Sequence, residues 1–248
     1  MTAVLPPPAL VIAGVVNPTA RALAELAMER GWTVAVFCEH LEDWPDAGEI
    51  TACEVDLADA AAVEASFSVL TSKWGHPATA LVHFATVGGR SSSTRLAVTE
   101  SASGWEATHT QHLLAGFLFA QSGVREMLRL RGSRQVDAGS VVLVADVGAA
   151  HSAPGFGTVS LSAAVAGLAG ATRQLAVEWG PYGVRVNMVH LGISEGLSER
   201  NAELLQRVPL ARVAMPRELA ESCYYLMSRA SSYVTGVVLP VDGGYHAS

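Results

Sequence analysis

The side chains of this sequence best placed to move protons are Asp146, His151, Ser160, His112 and His190. An Asp–His pair drawn from that set would do general acid/base work, the chemistry of a lyase, isomerase or cyclase. The plainer assignment puts His151 on a solvent loop, has Ser160 capping a helix, and makes His112 a partly buried packing residue. Tyr182 and Lys73, the chain's only lysine, are further acid/base types, but they stand in no helical spacing. Cys38, Cys53 and Cys223 are scattered and odd in number, which fits a reducing compartment and gives neither a disulfide framework nor a zinc spacing. No metal is expected. Arg125, Arg129, Arg131 and Arg134 gather at the end of a helical pattern, where the helix dipole favours cations.

The elements that would position these groups read as one α/β domain. The chain has 248 residues, half of them hydrophobic and 16% charged, enough to bury a sizeable core. Its net charge of −7 argues against nucleic acid or an anionic membrane as partner. The start, MTAVLPPPALVIAG, has no basic n-region and is interrupted by three prolines, so neither a signal peptide nor a membrane span is expected. Cytoplasm is the expected location.

Apolar runs at residues 9–13, 33–38, 80–84, 140–145 and 184–190 have the length and composition of buried parallel strands. Helical patterns lie between them at 19–30, 60–74, 104–130 and 158–179, the last rich in Ala, Gly, Val and Leu. Residues 87–103, rich in Gly, Ser and Thr, read as a loop. Pro18 has no N–H and a fixed φ, so it suits only the first position of the helix it opens.

The segment 158–192 carries a resemblance. Leu175-Ala176-Val177-Glu178, then Arg185-Val186-Asn187, then Leu191-Gly192, are similar to the corresponding run of the short-chain dehydrogenase/reductases. The ending Tyr233-Val234-Thr235-Gly236, with Val241-Asp242-Gly243-Gly244, matches the same family's last strand and tail. The resemblance implies an α/β fold: a doubly wound, Rossmann-like parallel sheet with helices on both faces, in a single domain spanning 1–248. It places the family's substrate lid at 193–208 and its Pro-Leu-x-Arg segment at 209–212.

The resemblance also implies where chemistry should be, and there the sequence departs from the family. The catalytic Tyr and Lys fall on Leu161 and Val165. The catalytic Ser falls on Asp146, or in a shifted register on Gly148, and the relay Asn on His112. The phosphate loop keeps Gly14, but its second and third glycines become Pro18 and Ala20. The Asn-Asn-Ala-Gly segment reads His83-Phe84-Ala85-Thr86, so only Ala85 is kept. Asp56 stands at the adenine position, or is a turn residue. Glu39 is the candidate ribose acid, or a solvated strand end, and Gly192 is the retained glycine after the penultimate strand.

From this the expectation is a chain with no catalytic residues and no cofactor of its own. It would be a supporting subunit in a heterotetramer with an active paralogue that binds NAD, as among hydroxyacyl-thioester (hydroxyacyl-CoA) dehydrogenases, or else a homo-oligomer. The helices at 104–130 and 158–179 would form the contact, with Ala163, Ala164, Ala166, Gly167 and Gly170 as a small-residue face. The alternatives are a repurposed enzyme doing non-redox chemistry, and an atypical oxidoreductase of the same family.

Overall fold

The computed structural model describes residues 6–44, 48–85, 97–131, 139–147, 158–192 and 205–247. Seven strands form one parallel sheet: β1 (Ala9–Gly14), β2 (Thr33–Cys38), β3 (Thr51–Glu54), β4 (Ala80–Phe84), β5 (Gly139–Asp146), β6 (Val184–Leu191) and β7 (Val238–Val241). Their order is β3-β2-β1-β4-β5-β6-β7, with every neighbouring pair parallel. The helices are α1 (Pro18–Glu29), α2 (Ala60–Trp74), α3 (Ala102–His109), α4 (Ala115–Arg131), α5 (Val159–Trp179) and α6 (Pro216–Met227).

Side chains alternate across a strand, and both faces of this sheet are apolar, which is why the strands read as continuous hydrophobic runs. Val11, Ala13, Leu81, Leu143 and Met188 pack with α2, α4 and α5. Leu10, Ile12, Val82, Val144 and Leu191 pack with α1 and α6. This is the doubly wound sheet that the sequence leads one to expect. No helix among the described residues is long and apolar enough to cross a membrane.

The retained motifs hold the scaffold together. Arg185 sends one guanidinium nitrogen to Leu226 O (2.8 Å), Ser231 Oγ (2.9 Å) and Val234 O (3.3 Å), and the other to Ser228 O (3.1 Å). It thereby satisfies the carbonyls at the end of α6, which a helix leaves without partners. The Asn187 amide donates to Val234 O (3.0 Å) and accepts from Val237 N (3.2 Å), tying the loop before β7 to β6. The Asp242 carboxylate accepts from Gly244 N (2.9 Å) and His246 N (2.8 Å), closing the final turn.

Three local expectations are corrected. The single helix expected over 104–130 is α3, a π turn at Thr110–Leu114, and α4. It starts earlier than expected because Ser101 caps it, accepting from Gly104 N at 3.1 Å. The loop expected over 87–103 therefore ends sooner, and residues 97–99 already form a 3-10 turn. Ser160 does not cap α5. Thr158 does, accepting from Leu161 N at 3.2 Å, while Ser160 is fully buried and donates to the Glu100 carboxylate.

Candidate functional site

An open α/β sheet binds ligands at the C-terminal ends of its strands, and here the ends of β1 and β4 lie against one another. Gly14 ends β1 at φ 93°, and a Cβ there would lie 2.2 Å from Phe84 O. The next residue donates Val15 N to Phe84 O at 2.9 Å, so β1 and β4 stay zipped past their ends.

The following turn carries α1, with Pro18 at its first position and Asn17 as its N-cap. Asn17 Oδ1 accepts from Ala20 N (2.9 Å), and Asn17 Nδ2 donates to Val15 O (2.8 Å). A phosphate at a helix start is held by free backbone N–H groups. Here Pro18 contributes none, and the Ala20 N–H is already taken. Ala20 is buried against the sheet at 1% exposure, so its methyl occupies packing space rather than a ligand groove. Phe84 is fully buried in the same layer.

Leu161 and Val165 stand one helical turn apart on α5. Val165 is 1% exposed and packs among Ala115, Phe119 and Leu168 in the core, and Leu161 packs half-buried against that core. Neither side chain can exchange a proton.

Two imidazoles stand near one another. His83, on β4, is 1% exposed, and its Nδ1 has no hydrogen-bond partner. Burial, and secondarily the nearby His112, push its pKa down to about 3. His112 lies in the π turn and donates its Nδ1 hydrogen to Ala85 O. Burial lowers its pKa, and that bond works in the opposite direction. Both rings are therefore neutral near pH 7, and the His112–Ala85 bond ties the π turn to the residue that follows β4.

The other sequence candidates fall into structural roles. The Asp56 carboxylate accepts from Ala58 N at 2.8 Å and shapes a turn. Glu39 is exposed past the end of β2. Gly192 donates to Val241 O (2.8 Å), and a Cβ there would lie 2.5 Å from Asp242 Cα, so this glycine lets β6 and β7 meet.

Within the proposed acid/base set, Asp146 and His190 are held apart. Asp146 pairs in register with Leu191, and His190 with Ala145. Leu191 faces α1 and α6 while Ala145 faces α4 and α5, so Asp146 and His190 project to opposite faces of the sheet. His151, Gly148 and Thr86 lie outside the described residues, as do 193–204 of the expected lid and Arg134. Arg129 pairs with Glu126 at 2.6 Å.

Lys73 donates to Thr51 Oγ1 (3.0 Å) beside β3, and Tyr182 precedes β6. Five strand spacings, about 24 Å, separate those strands, so the two cannot act as a pair. No three His, Cys, Asp or Glu side chains among the described residues gather as a metal ion would need.

Two features escaped the sequence reading. Asn17 had a signal: Asn followed by Pro is the residue pair of a cap and first helical turn. Glu100, whose carboxylate takes the Ser160 hydroxyl, had none, because that contact joins residues 60 positions apart.

Comparison with known proteins agrees with this architecture. The family described as enoyl-(acyl carrier protein) reductase matches residues 14–246. Protein FixR of Bradyrhizobium diazoefficiens is 30% identical over 97% of this chain and 87% of its own. D-threitol dehydrogenase of Mycolicibacterium smegmatis is 30% identical over 77% of this chain and 71% of its own. A short-chain type dehydrogenase/reductase from Mycobacterium marinum superposes with a TM-score of 0.86 at 24% identity, covering 98% of this chain and 97% of that one. With its seven-stranded sheet and a family match running through nearly all of it, the chain belongs to the short-chain dehydrogenase/reductase family.

Proposed function

We propose that this chain is a non-catalytic member of its family, a supporting subunit for an active paralogue that binds NAD and carries out the hydride transfer. The observation that carries this reading is Val165, which stands at the lysine position and is 1% exposed inside the core. Leu161 beside it removes the acid/base group, a contribution worth roughly 10²–10⁴-fold in rate on its own. Asn17 and Pro18 remove the phosphate site in the same way. Relatives include D-threitol dehydrogenase and a 3-oxoacyl-[acyl-carrier-protein] reductase of Aquifex aeolicus, which supports an oxidoreductase as the partner. A hydroxyacyl-thioester is our choice of substrate for that partner.

The surface for such a partner is the outer side of α5 and the neighbouring α3–α4 pair. Val159 (45% exposed), Val177 (72%), Leu114 (42%) and Trp105 (39%) are large apolar side chains left in water there. Ala166 and Gly170 are exposed between the two valines, and a Cβ on Gly170 would meet nothing within 4 Å. The small-residue face expected from the sequence is thus divided. Ala164 is fully buried, and a Cβ on Gly167 would lie 3.1 Å from its own chain's Leu113, so both serve internal packing.

The test is to purify the tagged chain from its native cells and weigh the intact complex by native mass spectrometry. A mixed oligomer is expected, with a second family member that has Tyr-x-x-x-Lys. A pure homo-oligomer that oxidises an alcohol with NAD would overturn the proposal.

A further inference from the structure

We draw no further inference here: the strongest candidate, the 540 Å³ cleft between the first turns of α1 and α6 lined by Pro18, Arg21, Glu25, Asp43 and Arg217, is a meeting of helix starts with no second observation pointing to a ligand, its guanidiniums being engaged already by Asp43 O and the Glu29 carboxylate.

Discussion

Replacing His83 by Leu should flatten the acid side of the stability profile. In the folded chain the ring is held neutral, with its pKa lowered from 6.5 to about 3 chiefly by burial. In the unfolded chain it titrates near 6.5. A group whose folded pKa is depressed contributes stability above its unfolded value, and that contribution fades as the pH falls from 6.5 towards 3.

At pH 5 the unfolded state gains a factor of about 33 from protonation and the folded state almost none, so the loss is about 2 kcal/mol relative to pH 7. Any folded value below about 4 gives the same figure at pH 5, so the prediction does not depend on the exact depth of the shift. For a chain of this length the loss corresponds to a Tm lowered by about 4–8 °C.

Urea unfolding of the wild type and His83→Leu at pH 7 and pH 5 gives the double difference. Whatever the substitution does to packing is common to both pH values and cancels. His112, which also titrates below its usual range, is present in both proteins. A double difference of about 2 kcal/mol in favour of the variant at pH 5 is expected. Parallel profiles, with a difference under about 0.5 kcal/mol, would refute the claim that a neutral, buried His83 is part of the fold.

Three further outcomes follow from the geometry. Val165→Lys should not restore nicotinamide binding, and it should cost several kcal/mol in urea unfolding, because the ammonium would enter a dry core with no partner. Arg185→Ala should cost on the order of 3 kcal/mol by removing the charged hydrogen bonds that tie β6 to Leu226 O, Ser228 O, Ser231 Oγ and Val234 O, and Arg185→Lys should recover little of it, since an ammonium lacks the planar fork. Gly170→Trp should keep the wild-type Tm while abolishing association in light scattering, whereas Gly167→Trp should lower the Tm through its clash with Leu113; equal effects of the two would remove α5 from the interface.

What was legible in the sequence was whatever repeats along the chain. Five of the seven strands announce themselves as apolar runs because both sheet faces are covered there, whereas the partly exposed edge strands β3 and β7 do not, and Arg185 and Asn187 sit in a motif whose role is to bind backbone. Leu161 and Val165, apolar where the resemblance places Tyr and Lys, and Pro18, where it places a glycine, are read from residue types alone. Contacts across distance were not. The Ser160–Glu100 bond, the turn of Gly167 towards Leu113, and the opposite faces of Asp146 and His190 all depend on how elements dock. The π turn was hidden for another reason: it adds one residue to a helical turn without changing the apolar pattern enough to mark it.

A helix start that supplies its own acceptor has one N–H fewer to offer a dissolved anion. A protein that completes its first turn with a bound nucleotide becomes more stable as that nucleotide accumulates, by about 2.7 kcal/mol at a hundredfold excess over Kd. Asn17 builds the equivalent contact into the polypeptide, at 2.9 Å from Ala20 N. On the reading proposed above, the stability of this chain would not vary with the size and redox balance of the dinucleotide pool.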